Sequence, residues 1–253
     1  MLRSTISSSI SICAGLLLAG SVYGGTNEDA AFARDDRPES DYQQHEARKA
    51  REVLAFTGIS SGMTVVELEA GGGVYTEIFA KTVGAGGTVH MQNPMLFDSF
   101  AGDAIKARVA GNRLPNVKLM RTAFDELPVA DASIDVVTWF LGPHELWYYP
   151  EGQEKGVFGD PDKTFAEIAR VLKGGGHFVA LDHKAAPGSP PETGGTTHRL
   201  DPEIVNRRAA AVGLRLVDES DLLANPDDEL TRNVFDPSVR RKTDRFLLKF
   251  AKE

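Results

Sequence analysis

A chain of 253 residues with an apolar fraction of 42% is long enough to bury one large core. Its formal charge of −8, with no basic block, argues against general nucleic-acid binding. Its one cysteine, Cys13, falls in a segment with the pattern of a cleaved leader. A mature chain therefore has no thiol for nucleophilic catalysis, thiolate metal binding or a disulfide.

Residues 1–24 have the composition of an export signal peptide. Arg3 supplies a short positive region, residues 10–22 form an apolar run, and small residues near Gly24 offer a cleavage site. The run is shorter than the roughly 20 residues that span a bilayer. The expectation is a periplasmic or secreted protein with no stable membrane span after cleavage, an uncleaved anchor being the alternative. Residues 25–41 are polar and aperiodic and are expected to form a flexible arm. Residues 42–253 are expected to form one domain.

Ser40 or Asp41 can cap a helix running to Phe56, with Ala47, Ala50, Val53, Leu54 and Ala55 on one face. The β-branched run at 65–68 reads as a strand. Gly71, Gly72 and Gly73 follow, and then a helical face of Tyr75, Ile78, Phe79, Thr82 and Val83 ends at Gly84. A second strand covers 88–91. Strand, glycine turn, helix and strand build a right-handed parallel crossover. Glycines at such a turn let the backbone approach a ligand beside the positive end of the helix. A helix is expected over 95–109, a strand over 116–121, and a nearly continuous apolar strand over 133–140, as two-sided burial requires. A helix starts at Asp160-Pro161-Asp162, shows Phe165, Ile168, Ala169 and Leu172 on one face, and stops at Gly174-Gly175-Gly176. Residues 177–181 are a strand, and the Gly/Pro/Thr-rich stretch 187–197 is long enough for a lid. A helix from Asp201 to Val212, a strand at 214–217, a mostly irregular stretch at 221–243 and a last, antiparallel strand at 245–250 complete an α/β pattern with a mostly parallel sheet.

A strand ending in an acid, the glycine turn, the strand Ile134-Asp135-Val136-Val137 and the segment Ala169-Arg170-Val171-Leu172-Lys173-Gly174-Gly175-Gly176 together resemble a class I S-adenosylmethionine-dependent methyltransferase. Asp182-His183, Gly188-Ser189, His198-Arg199 and Thr243-Asp244-Arg245-Phe246 are similar to an exported bacterial group of predicted methyltransferases. The resemblance implies a Rossmann-like methyltransferase fold: a mostly parallel seven-stranded sheet, helices on both faces and an antiparallel C-terminal strand. It implies S-adenosylmethionine as cofactor and a small-molecule acceptor. Glu67 matches the acid that orients the cofactor loop. Gly71 and Gly73 match glycines under the methionine and ribose, and Tyr75 opens the helix beside them. Glu69 stands where the pattern has its first glycine, and Asn93 where an acid takes the ribose hydroxyls. Phe124 and Asp125 fall near the adenine position, and Trp139, His144 and Glu145 where substrate groups follow strand four.

Asn93 can still bond a ribose, without charge. A charge-assisted bond contributes roughly 1.5–3 kcal/mol against about 1 for a neutral one, which corresponds to about tenfold weaker binding. Glu69 could fill cofactor space or forbid the backbone angles of a glycine, or it could pair with the ammonium or sulfonium. A non-catalytic exported binding protein with a degenerate cofactor site at Glu69 and Asn93 is the alternative function. As catalytic groups, His144 is the first choice of base, with Glu145 or His183 as alternatives. The aromatics Trp139, Phe140, Trp147, Tyr148 and Tyr149 suit either a cation-binding wall or core packing.

Other chemistries fit less well. Thr76 stands where a dinucleotide fingerprint needs a third glycine, and no Gly-Lys-Ser/Thr phosphate loop occurs. Asp182, His183 and His198 are candidate metal ligands, but a long loop between the two histidines fixes no geometry, so no metal is expected.

Overall fold

The computed structural model describes Met1 and residues 27–33 and 37–253. The expected signal peptide therefore lies, Met1 apart, outside the described residues. Helices α1 (Asn27–Phe32), α2 (Glu39–Ala47) and α3 (Ala50–Thr57) precede strand β1 (Thr64–Leu68), helix α4 (Val74–Val83) and strand β2 (Thr88–Gln92). Helix α5 (Asp98–Val109), β3 (Val117–Met120), β4 (Ile134–Phe140), α6 (Pro161–Val171) and β5 (Leu172–His183) follow. The chain ends with α7 (Thr193–Thr197), α8 (Pro202–Ala211), β6 (Leu214–Glu219) and β7 (Arg245–Lys252).

The seven strands form one sheet in the order β3-β2-β1-β4-β5-β7-β6, and β7 runs antiparallel to both neighbours. Chain order reverses direction between β1 and β4, which opens a crevice at their C-terminal ends, where open α/β sheets bind ligands. Successive residues of the central strands enter opposite cores. Val66, Leu68, Val137, Trp139 and Phe178 pack with α6 and α8, whereas Val65, Val136 and Val179 pack with α3 and α4. Both sheet faces are thus covered, which explains the nearly continuous apolar run of β4. Among the described residues no helix is long and apolar enough to cross a membrane.

Three local expectations change. The single helix expected from residue 40 to 56 is two, broken at Lys49, whose φ is 46°. The cause is the polar composition of α2, in which Asp41 is the one buried residue, so no apolar stripe carries the axis onward. The arm expected to be flexible is packed where it is described. Asn27 Nδ2 donates to Thr82 O at 3.1 Å, Ala31 is fully buried, and buried Arg37 donates to Ala31 O at 3.0 Å. The three glycines expected to end α6 instead lie inside β5. The ladder shifts register between Ile134 and Val136, and Gly175 takes a φ of 76° there.

Candidate active site

Strand β1 delivers the chain into a turn with three left-handed residues in five: Glu69 (φ 53°), Gly71 (φ 54°) and Gly73 (φ 78°). A side chain at Gly73 would lie 2.8 Å from Arg108 Cγ and 2.9 Å from Met91 Cε, so this position needs glycine for space as well as for φ. Glu69 follows the glycine path with a side chain attached, at a cost of roughly 1–2 kcal/mol. Its N–H donates to Gln92 Oε1 at 2.9 Å, and its carboxyl accepts from Trp139 Nε1 at 3.1 Å. Asn93 is fully buried and spends its amide on the same turn. Its Oδ1 accepts from Gly71 N at 2.8 Å, and its Nδ2 donates to Gly71 O at 3.2 Å. A neutral amide matches both the donor and the acceptor of that residue; a carboxylate matches the donor alone.

Glu67 lies under the turn and accepts from the Thr76 hydroxyl. Burial pushes its carboxyl up to about 8, against the opposing pull of Thr76, Arg108 and Arg48. Arg108 ties the turn to its surroundings. Its Nε donates to Gly72 O at 2.9 Å, and its Nη1 reaches Asp41 and Glu77, each at 2.6 Å. Arg113, Lys81 and Arg37 also approach Glu77. This network joins α2, α4 and α5 beneath the cavity.

On the other side of the crevice, the chain leaves β4 through Leu141 (φ 60°) into a 3₁₀ turn, Pro143–Trp147, which carries His144 and Glu145. Fully buried Asp182, near the end of β5, accepts from His144 N, His144 Nδ1 and His183 N, each at 2.8 Å. A carboxylate only accepts, so His144 donates from Nδ1 and turns Nε2 away from Asp182. That nitrogen lies 3.2 Å from His198 Nδ1 and 3.4 Å from Glu145 Oε1, and the latter two atoms are 3.7 Å apart. His198 caps α7 in the left-handed conformation (φ 54°). Helix α7 sits against the 3₁₀ turn because Gly194 and Gly195 have no side chains. A Cβ at either would lie 2.4 Å from His144 O or Trp147 O respectively.

Burial opposes charge on His144, but the carboxylates of Asp182 and Glu145 outweigh it and raise its proton affinity well above that of an ordinary histidine. Burial likewise opposes charge on Glu145, and its bonds to His144 and His198 prevail, holding the carboxyl down at about 2. Burial and then the Glu145 charge raise Glu69 well above the usual carboxyl range. His183 bonds Thr243 Oγ1 through Nδ1 at 2.7 Å, and burial with the neighbouring His144 and Arg245 keeps it well below the usual histidine value.

A cavity of about 1120 Å³ spans the two sides. Of the residues singled out from sequence, Glu67, Glu69, Gly71, Tyr75, His144, Glu145 and His183 line it. Gly73, Asn93, Phe124, Asp125 and Trp139 do not. Phe124 and Trp139 are fully buried against each other, with ring centroids 4.9 Å apart, and Asp125 accepts from Asp160 N at 3.0 Å. The ligand set weighed for a metal also separates. Asp182 sits behind His144 and His183 turns to Thr243, while His198 instead joins His144 and Glu145. Sequence reasoning missed Arg48, Phe97, Phe100, Val234 and Phe235, which also line the cavity. The only available signal for the last two was an apolar pair within a polar irregular stretch.

Residues 66–180 match a family model described as a methyltransferase domain. The chain is 28% identical over 135 residues to the ubiquinone/menaquinone biosynthesis C-methyltransferase UbiE of Idiomarina loihiensis, covering 52% of this chain and 47% of that protein. It is 29% identical over 109 residues to the uncharacterized methyltransferase YcgJ of Bacillus subtilis, covering 40% of this chain and 38% of that protein. The matched stretch thus spans less than half the length of either relative. Among solved structures, a SAM-dependent methyltransferase from Aquifex aeolicus is similar with a TM-score of 0.57 at 18% identity, over 85% of this chain and 98% of that one. The geranyl diphosphate C-methyltransferase of Streptomyces coelicolor gives 0.59 at 16%, over 90% and 91%. Residues 66–180 are thus similar to methyltransferase domains, and the seven-stranded sheet has the Rossmann-like methyltransferase fold.

Proposed function

We propose that the protein binds S-adenosylmethionine in the crevice between β1 and β4 and methylates a small-molecule acceptor. The observation that carries this reading is the glycine-bearing turn after β1, which opens directly onto the large cavity at the strand-order switch. The lining residues fit the cofactor. Among the described residues, buried Tyr75 Oη has no hydrogen-bond partner, and the Arg48 guanidinium, 5.9 Å from the centre of that ring, bonds no carboxylate. An orphaned hydroxyl beside an unmatched cation suits a carboxylate. Glu145, whose carboxyl is held down, lines the wall and favours positive charge there. The volume slightly exceeds the usual range of roughly 300–1,000 Å³ for one ligand, leaving room for an acceptor.

When bound, S-adenosylmethionine supplies an electrophilic methyl carbon on a sulfonium. The chain's own contribution is chiefly positioning. Arg48 and Tyr75 anchor one end, the Asn93-braced turn holds the middle, and the His144 cluster faces the acceptor. The neutral form of His144 takes at Nε2 the proton that the acceptor loses as its bond to the methyl carbon forms, and Asp182 stabilises the resulting imidazolium. Residues 1–24 support export of the protein to the periplasm or medium. Calorimetric titration of the mature chain with S-adenosylmethionine tests the reading. The expected result is one site per chain. Absence of both heat and thermal shift at millimolar cofactor would refute it, leaving the non-catalytic binding protein.

A further inference from the structure

We infer that His144, Glu145 and His198 form a binding site for one divalent transition-metal cation of the zinc class. The three facing atoms, His144 Nε2, Glu145 Oε1 and His198 Nδ1, are separated by 3.2, 3.4 and 3.7 Å. Zinc bonds to imidazole nitrogen and carboxylate oxygen are about 2.0–2.2 Å long, which places ligand atoms about 3.4 Å apart in a tetrahedron and about 3.0 Å apart in an octahedron. The observed edges bracket the tetrahedral value. The shortest radius at which one point is equidistant from all three atoms is about 2.0 Å, the length of one such bond. The triangle therefore already has the size of a coordination face.

Three further features support a cation. First, Asp182 accepts from His144 Nδ1 and so leaves Nε2 as the ring nitrogen on the side of His198 and Glu145. This is the carboxylate–histidine–metal arrangement that orients metal-binding imidazoles. Second, the ligands come from two elements clamped together by backbone. The closeness of Gly194 to His144 O fixes α7, and with it His198, against the turn carrying His144 and Glu145. Third, the carboxylates of Asp182 and Glu145 are nearly or fully buried, and among the described residues no lysine or arginine forms an ion pair with either. Buried carboxylates need a cation. Two imidazoles and one carboxylate, with no thiolate, select zinc-like ions over calcium or magnesium.

Three protein ligands leave a fourth position, and it faces the cavity that the glycine turn also lines. An acceptor hydroxyl there would coordinate through oxygen and lose its proton to cavity water. The ion would then replace the His144 lone pair in activating the acceptor. The site itself stands on its three ligands and does not depend on methyl transfer.

The test uses the tag-free mature chain, with metal content measured by plasma mass spectrometry and the chelator-treated protein titrated with Zn²⁺ and Co²⁺. The expectation is one ion per chain, an intense Co²⁺ ligand-field spectrum typical of tetrahedral sites, and at least tenfold weaker binding for Glu145→Gln and for His198→Ala. Asp182→Asn should weaken binding by about 10–100-fold, as loss of an orienting carboxylate does. Circular dichroism of each variant reports folding, and the near-isosteric Glu145→Gln keeps the test open if a histidine variant misfolds. No binding of either ion by the folded wild type overturns the inference and leaves a proton-bridged histidine pair. Binding that survives both Glu145→Gln and His198→Ala, or a weak octahedral Co²⁺ spectrum, overturns it too. Cofactor binding is titrated separately, so failure of the methyltransferase reading is distinguishable from failure of the metal site.

Discussion

Replacing Glu69 by glycine restores the glycine pattern of the turn, and the structure predicts little benefit to cofactor binding. Glu69 already has a φ of 53°, so its backbone follows the path a glycine would take. Its carboxyl is fastened to Trp139 Nε1 at 3.1 Å, in the wall of the cavity. Removing the side chain relieves roughly 1–2 kcal/mol of left-handed strain and adds back about 0.5–1 kcal/mol of glycine backbone entropy. It also strips the partner from the indole N–H of fully buried Trp139, which costs about 1–3 kcal/mol. The net expectation is destabilisation by about 1 kcal/mol, a fall in Tm of about 2–4 °C for a chain of this size. Glu69→Gln keeps an acceptor for Trp139 and mimics the uncharged carboxyl that burial favours, so its Tm should match the wild type within about 2 °C. Scanning fluorimetry reads the stabilities and calorimetry the affinity for S-adenosylmethionine, whose Kd in Glu69→Gly should stay within about threefold of wild type. A tenfold tightening, about 1.4 kcal/mol, would show that the side chain blocks the cofactor. A rise in Tm of about 1–4 °C in Glu69→Gly, the strain relief alone, would show that the bond to Trp139 contributes nothing.

Asn93→Asp should lower Tm and weaken cofactor binding, because it removes the donor to Gly71 O and sets a carboxylate against that carbonyl, at about 1–3 kcal/mol; tighter binding in this variant would instead place residue 93 on the ribose. Glu67 sets a pH dependence. An unfolded chain releases this proton above pH 4.5 and the folded chain keeps it to about 8, so stability falls as pH rises through that window and levels off above it. At ~1.4 kcal/mol per pH unit the loss is at most about 5 kcal/mol, and Glu67→Gln should gain Tm relative to wild type between pH 5 and 8; a difference that stays flat across that range contradicts the buried carboxyl. Gly194→Ala forces a methyl group to within 2.4 Å of His144 O, so α7 must shift, at about 1–3 kcal/mol and roughly 2–12 °C of Tm by fluorimetry; wild-type stability would mean that α7 is not clamped there.

The frame of the molecule was legible because each element of it has a local chemical signature. β-Branched runs, the glycine turn and the caps at Asp160 and Asp201 each act within a few residues, and both aspartates do accept from the first turns of their helices. The misreadings occurred where one signature has two outcomes. Gly174 to Gly176 can end a helix or widen a strand, and here pairing of Leu172 with Ile134 draws them into β5. A polar run such as 25–41 can be loose or tied by ion pairs. Buried Glu77, which makes the packed outcome possible, lies far along the chain from Arg37.

The site divides along the same line. Of the residues at the glycine turn, Glu67, Glu69, Gly71 and Tyr75 line the cavity and Gly73 does not, since a turn fixes the positions of its own neighbours. Residues joined only by tertiary folding are not fixed in this way. Asp182 and His183 are adjacent in sequence, yet alternation along β5 sends one behind His144 and the other toward Thr243. His198 meets His144 across 54 residues because two glycines let α7 approach a backbone carbonyl, a contact that no periodicity encodes. The chemistry of this crevice therefore turns on Gly194 and Gly195 as much as on the histidines. They decide whether His144, Glu145 and His198 meet within 3.2–3.7 Å of one another or remain three unrelated polar groups on a cavity wall.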